Sequence, residues 1–134
     1  MKKIYFGHPI SEYNTVNESF LMEIIKFKFP GWHVENPNQP VHGDGYIRVK
    51  NERGNGMLYF YEEVLPSMDA GVFLAFEDEM FGTGVYKEAK FMADEGKPIY
   101  EISMDKGLSD LVLDESRMLS VEETRKRVYP IKKD

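Results

Sequence analysis

The chain has 134 residues, of which 42% are hydrophobic and 30% are charged, and its formal net charge is -6. This length predicts a single domain over residues 1–134, since domains cluster around ~100–150 residues. The lack of cysteine excludes disulfides, thiolate catalysis and cysteine-ligated metal sites. The acidic balance argues against a nucleic-acid partner. No apolar run approaches the ~20 residues of a membrane span, and no signal-peptide core precedes the first strand pattern. We therefore expect a cytoplasmic protein without a membrane partner.

Strand and helix patterns alternate from the start of the chain. Ile4-Tyr5-Phe6 is a short apolar run that ends at glycine, as a buried strand does before a loop. Residues 14–29 have helical spacing, and we expect one face to be buried: Val16, Phe20, Ile24 and Phe27, with Leu21 and Ile25 beside it. Residues 32–35 predict a second strand.

Glycine, proline and mixed charges then dominate residues 36–56. This composition predicts a long loop, and loops of this length are commonly functional or mobile. Residues 57–66 follow with helical spacing of Leu58, Tyr61 and Leu65, which predicts a helix in the middle of the chain.

The second half continues the alternation. Residues 70–76 are apolar throughout, which is typical of a central parallel strand covered on both faces. A glycine turn at 82–84 predicts the start of a helix that runs to about Glu95 and ends at Gly96-Lys97-Pro98. Residues 99–102 predict another strand, and the capping-box spacing of Ser120 and Glu123 predicts a last helix to about Val128. The alternation favours parallel α/β layering with a sheet of about four or five strands.

Two segments follow strand ends, where ligands bind in open α/β sheets. The first is Gly7-His8-Pro9 and the second is residues 77–84. In the second, the amides and dipole of a helix N-terminus favour an anion by ~0.3–1 kcal/mol. Gly82-Thr83-Gly84 lacks the lysine of a P-loop and the spacing of a dinucleotide fingerprint, so an ordinary glycine turn is an equal alternative.

Glu88 is the carboxylate that we single out, because it interrupts a partly apolar helix face near Val85 and Ala89. The alternative is a solvated helix glutamate, as most glutamates are. Tyr5 is either a core tyrosine or the group that holds Glu88 in place. His8 either donates to a ligand or has no chemical role.

Other charged residues carry weaker signals. His42-Gly43-Asp44 lacks a third ligand at helical spacing, so we expect no metal site there and no cofactor. Asp78 and Glu79 are adjacent carboxylates that either perturb each other's pKa or are simply solvated. Residues 125–127 predict a solvated basic face on the last helix.

At these residues the sequence resembles the nucleoside 2-deoxyribosyltransferase family and its nucleotide N-glycosidase relatives. Three segments carry the resemblance: the opening strand at 3–7, the central strand at 69–74, and the glycine turn and helix from Gly82 to Pro98. The similarity covers most of the first 103 residues in order. It implies a Rossmann-like (flavodoxin-like) three-layer sandwich with a mainly parallel sheet.

The resemblance places a nucleophilic glutamate in the helix after the glycine turn. Counted forward from Gly82, the family position falls on Tyr86; counted back from Gly96, it falls eight residues earlier, on Glu88. We prefer Glu88, because packing sets the helix register whereas a turn tolerates insertion.

By the same resemblance, the protein acts on the N-glycosidic bond of a nucleoside or nucleotide, with the glutamate stabilising or bonding an oxocarbenium-like sugar. Tyr5 would orient Glu88, and Asp78 would contact the substrate. Gly7, His8 and Pro9 would face the sugar, and Thr83 and Gly84 of the turn that begins at Gly82 would take a 5′-phosphate. The family also implies a dimer or higher homo-oligomer. The alternative is a non-catalytic module of the same fold that binds a nucleotide or sugar-nucleotide.

Overall fold

The computed structural model describes residues 1–129. Within them, five strands form one sheet in the order β2-β1-β3-β4-β5. The strands are β1 (Lys3–Gly7), β2 (His33–Glu35), β3 (Ala70–Leu74), β4 (Ile99–Ser103) and β5 (Gly107–Asp110). The first four are parallel, and β5 pairs antiparallel with β4. This is the strand order of flavodoxin-like folds, so the predicted α/β class with a mainly parallel sheet is confirmed.

Helices cover both faces of the sheet. They are α1 (Val16–Lys28), α2 (Pro40–Arg53), α3 (Met57–Tyr59), α4 (Thr83–Asp94) and α5 (Val121–Val128). The chain after α3 continues through a π-helical turn at Phe60–Val64 and a 3-10 turn at Leu65–Ser67. The helix expected over residues 57–66 is therefore present in this irregular form. No helix in the described part of the chain is long and apolar enough to cross a membrane.

The central strand β3 separates two apolar cores. All five of its residues are buried, as expected for a strand covered on both faces. Phe73 packs on one side with Tyr5 and Met92 of α4. Val72 packs on the other side with Phe6 and with Leu21 of α1. Strand alternation thus directs Tyr5 and Phe6 to opposite cores.

Helix α1 is present where predicted, but its predicted buried face is wrong. Leu21 and Ile25 are fully buried, whereas the expected core residues Val16, Phe20 and Phe27 are 85%, 51% and 80% exposed. Both sets of positions have helical spacing, so periodicity cannot choose between them. Glu18 lies on the same face as Leu21 and Ile25, and its buried carboxylate is hydrogen-bonded to His8, which follows β1, and to Asn38 in the loop after β2.

The long loop predicted over residues 36–56 is also wrong for most of its length, because it contains α2. Pro40 opens this helix, where the missing N–H costs nothing. Gly54 ends it in the left-handed region, with φ 80°. Gly45 lies inside it because a Cβ there would be only 2.2 Å from the Tyr59 ring. These residues mark helix ends and a close contact rather than a loop.

The C-terminal part of the chain closes the structure beside α4. After β5, Met118 forms a parallel β-bridge with Phe81, in the turn before α4. Helix α5 follows, and Ser120 caps it by accepting a hydrogen bond from the Glu123 amide at 3.1 Å, as the capping-box spacing predicts. This segment attaches to the turn between β3 and α4.

Candidate functional site

A buried hydrogen bond joins the two residues for which the sequence predicts catalytic roles. The Tyr5 hydroxyl donates to Glu88 Oε2 at 2.5 Å, across 83 positions of sequence. Tyr5 is 1% exposed and Glu88 is 5% exposed. The contact between them is the one expected if Tyr5 holds Glu88, and the alternative of a solvated helix glutamate is wrong.

Gly7 lies against the same carboxylate at the end of β1. A Cβ at this position would be 3.2 Å from Glu88 Oε1 and 2.6 Å from the Phe73 ring. A side chain is therefore excluded unless these groups move, which explains why the strand ends on glycine. The backbone of Gly7 can approach Glu88 closely for the same reason.

The surroundings of Glu88 disfavour its charged form. Burial raises the pKa of Glu88 to about 8, and the hydrogen bond from Tyr5 opposes this rise. Burial also raises the pKa of Tyr61 to about 12, with a further contribution from the charge of Glu88. The pKa of Tyr13 is raised well above its ordinary value by the same two causes. The charge of Glu88 thus acts on Tyr13 and Tyr61, which no sequence motif identified.

His8 has both ring nitrogens engaged within the chain. Nδ1 lies 2.9 Å from the Phe6 carbonyl oxygen, and since a carbonyl only accepts, Nδ1 donates. Nε2 lies 2.7 Å from Glu18 Oε2. Burial raises the pKa of Glu18, but hydrogen bonds from His8, Asn14 and Asn38 outweigh it, so that this pKa is lowered. His8 thus anchors α1 to β1, and its contact with a sugar stays a prediction.

Asp78 is held by the last helix. It accepts two hydrogen bonds from Arg127, at 2.8 and 2.7 Å, and chiefly for this reason its pKa falls to about 2. Arg127 is therefore not part of a simply solvated face. The neighbouring Glu79 has its own cation, Lys106, at 2.7 Å, which lowers the Glu79 pKa. The two carboxylates are each paired rather than perturbing one another.

The glycine turn at the start of α4 is covered by the C-terminal segment. The Thr83 amide donates to Thr124 Oγ1 at 3.0 Å, and the Thr83 hydroxyl donates to the Leu119 carbonyl at 2.7 Å. A Cβ at Gly82 would be 3.1 Å from the Thr124 methyl group, and one at Gly84 would be 3.7 Å from Met57. The 5′-phosphate contact of Thr83 and Gly84 stays a prediction, and it would have to displace Thr124 from the Thr83 amide.

An open cavity of about 1290 Å³ lies at the carboxyl ends of β1, β3 and β4. Pro9 and Asp78 from the predicted site line it, together with Glu101 and Arg117, which form an ion pair. Tyr5, Gly7 and Glu88 are not among its lining residues. The cleft expected as one site is therefore divided into the buried Tyr5–Glu88 pair and a separate open cavity.

His42 belongs to a separate buried network. Its Nδ1 lies 2.8 Å from the Tyr59 hydroxyl, and its Nε2 lies 3.2 Å from Glu35 Oε2. Residues 1–129 contain no group of three or more histidine, aspartate or glutamate side chains that could hold a metal ion. This histidine ties α2 to β2 and to α3.

No family model matches the chain, and no curated protein matches it. The similarity to nucleoside 2-deoxyribosyltransferases therefore rests on the three segments named in the sequence. Thr124 and Arg127, which contact the site, lie beyond those segments. The capping box of Ser120 and Glu123 predicts the helix that carries Thr124 and Arg127. It does not predict which residues this helix contacts, so the sequence contains no signal for these contacts.

Proposed function

We propose that this protein cleaves or transfers at the N-glycosidic bond of a nucleoside or nucleotide, with Glu88 as the nucleophile. The observation that carries the proposal is the Tyr5–Glu88 hydrogen bond. It holds a carboxylate beside the glycine that ends β1, at the edge of the sheet where α/β proteins bind ligands. We also propose that the protein is cytoplasmic.

The reaction proceeds in two displacements. A Glu88 carboxylate oxygen bonds to the anomeric carbon as the bond to the base nitrogen breaks, and the departing base takes a proton from solvent water. Water or a second base then attacks the same carbon, its proton goes to solvent, and the bond to Glu88 breaks to restore the carboxylate. Tyr5 positions the carboxylate through its hydroxyl, and the lack of a side chain at Gly7 lets the end of β1 lie against Glu88.

Glu88 must be ionised and reachable to act. Because its pKa is about 8, the carboxyl group is mostly neutral at pH 7 in the substrate-free protein. Substrate entry must also displace side chains above it, since Glu88 is 5% exposed. Activity is therefore expected to rise with pH up to about 8.

We expect free base to be released when the protein is incubated with a panel of ribo- and deoxyribonucleosides and their 5′-monophosphates, followed by chromatography. Adding a second free base distinguishes transfer from hydrolysis, because only transfer forms a new nucleoside that contains that base. Glu88→Gln should reduce the rate by at least ~10³-fold, because it removes the nucleophile. Glu79→Gln is the control, since Glu79 pairs with Lys106 at the surface, and it should retain activity. Full turnover by Glu88→Gln would contradict the proposal.

Tyr5→Phe should shift the pH profile of kcat/KM rather than abolish activity. The hydrogen bond from Tyr5 lowers the pKa of Glu88, so its loss raises that pKa and moves the ascending limb to higher pH. A hydrogen bond to a charged group is worth ~1.5–3 kcal/mol, equivalent to about one to two pH units. A reduced rate with an unmoved limb would show that Tyr5 supports only the fold.

The second candidate is a non-catalytic module that binds a nucleotide or sugar-nucleotide. It is favoured by the large cavity whose lining includes Asp78 but not Glu88. Isothermal titration with the same panel distinguishes the two functions. Binding without base release, weakened by Asp78→Asn and unaffected by Glu88→Gln, would support the module.

A further inference from the structure

His8 is a buried titratable side chain that the proposed reaction does not use. Its side chain has no exposed surface. Ring nitrogen Nδ1 lies 2.9 Å from the Phe6 carbonyl oxygen, and Nε2 lies 2.7 Å from Glu18 Oε2. A neutral imidazole donates only one hydrogen bond, whereas an imidazolium donates two. Because a carbonyl and an ionised carboxylate only accept, the two contacts together require the doubly protonated ring.

Other hydrogen-bond donors hold Glu18 in its ionised form. Glu18 Oε1 accepts a hydrogen bond from the Asn14 amide at 3.1 Å and another from the Asn38 side-chain amide at 3.1 Å. Burial raises the pKa of Glu18, but the hydrogen bonds that its carboxylate accepts outweigh this rise, so that the pKa is lowered. The proton between the two side chains therefore belongs to His8 and not to Glu18.

Two aromatic rings favour the same charged form of His8. The Phe6 ring is stacked on the imidazole with centroids 4.0 Å apart, and the centroid of the Tyr13 ring lies 5.0 Å away. Aromatic rings attract cations, and the attraction is stronger where the cation is desolvated. The titratable groups that face His8 are thus Glu18 from α1 and Tyr13 from the segment after β1. The charge of Glu88, on α4, acts in turn on Tyr13.

We propose that His8 and Glu18 form a pH-sensitive latch, which fixes the start of α1 to the end of β1 while His8 is an imidazolium and opens when His8 loses its second proton. A neutral His8 that still donates from Nδ1 turns the lone pair of Nε2 toward a carboxylate oxygen 2.7 Å away, and the two groups repel. The chain held by this latch contributes Pro9, Glu12 and Asn17 to the wall of the open cavity. A rise in pH therefore loosens this wall, whether or not Glu88 is a nucleophile.

Nitrogen-15 NMR of the histidine side chains tests the protonation state. At about pH 7.5, where an unperturbed histidine is ~90% neutral, both ring nitrogens of His8 should carry hydrogen in the unaltered protein. The variant His8→Gln assigns the signals, because it lacks them. Glu18→Gln is the matched change: its amide can donate to Nε2, so His8 there should be neutral, with hydrogen on Nδ1 alone. A singly protonated His8 in the unaltered protein would overturn the proposal.

Hydrogen exchange of the Asn14 amide tests the opening of the latch, because this amide donates to Glu18. Its protection factor, which corrects for the faster chemistry of exchange at high pH, should fall by at least ~10-fold between about pH 7 and about pH 9.5. In Glu18→Gln the contact has no second proton to lose, so the protection should stay constant. The Gly54 amide, which donates to the Lys50 carbonyl at 2.8 Å, is the control and should stay protected in both proteins. Constant protection of Asn14 in the unaltered protein, or an equal loss in Glu18→Gln, would contradict the latch.

Discussion

Replacing Glu88 with glutamine is expected to stabilise the protein increasingly as the pH rises from about 4.5 to about 8. The ordinary pKa of the carboxyl group is 4.5, and burial raises it to about 8 in the folded chain. Between these values the unfolded chain has lost the proton and the folded chain has kept it. The free energy of unfolding of the unaltered protein should therefore fall by ~1.4 kcal/mol per pH unit from this group.

Urea unfolding at several pH values measures the effect. Glutamine carries no ionisable proton, so the difference in free energy of unfolding between Glu88→Gln and the unaltered protein should grow across this range and level off above pH 8. Glu18→Gln is the control of opposite sign, because the pKa of Glu18 is lowered in the folded chain. A difference for Glu88→Gln that does not vary with pH would mean that Glu88 is ionised in the folded protein.

Gly45→Ala and Gly43→Ala are expected to change stability in opposite directions, although both residues lie in α2. A Cβ at Gly45 would be 2.2–2.7 Å from atoms of the Tyr59 ring, and Tyr59 is hydrogen-bonded to His42. Overpacking of this kind costs ~1–3 kcal/mol. A Cβ at Gly43 meets nothing within 4 Å, so alanine there should gain ~0.5–1 kcal/mol from its higher helix propensity.

Thermal unfolding of the two variants provides the comparison. Each effect is several degrees for a domain of this size, so the two melting temperatures should fall on either side of that of the unaltered protein. Equal destabilisation by both variants would contradict a helix over residues 40–53, because only in a helix does alanine at position 43 gain from its propensity.

The four parallel strands were predictable from the sequence because their signals are local, whereas no pattern predicted the antiparallel strand β5. Residues 70–76 are continuously apolar, and β3 lies within that run. Two helix ends were also predictable, because glycine favours the left-handed conformation that ends a helix and serine is a preferred N-cap. Gly96 adopts a left-handed conformation after α4, with φ 75°, and Ser120 caps α5.

The predictions that were wrong depend on tertiary contacts. Two faces of α1 have helical spacing, and the face that meets the sheet carries the buried Glu18, which pairs with His8. Residues 36–56 have the composition of a loop, yet Gly45 is required by the Tyr59 ring, which comes later in the sequence. No local pattern contains this information.

The candidate site was predictable in part. The spacing between Glu88 and Gly96, together with the family resemblance, singled out Glu88 and its contact with Tyr5, which the structure contains. The pairing of Asp78 with Arg127 joins residues 49 positions apart, and nothing in either segment indicates it. The division between the buried pair and the open cavity likewise follows from packing alone.

The contacts of the C-terminal segment have a consequence for folding during synthesis. The residues of β1, β3, β4 and α4 leave the ribosome first, so the Tyr5–Glu88 pair can form while the chain is still growing. The turn before α4 still lacks Arg117, Thr124 and Arg127, which hold it through Glu79, Thr83 and Asp78. A nascent chain should therefore acquire its core before this turn is complete, and the turn cannot take its final form until residue 127 has been synthesised and has left the ribosome.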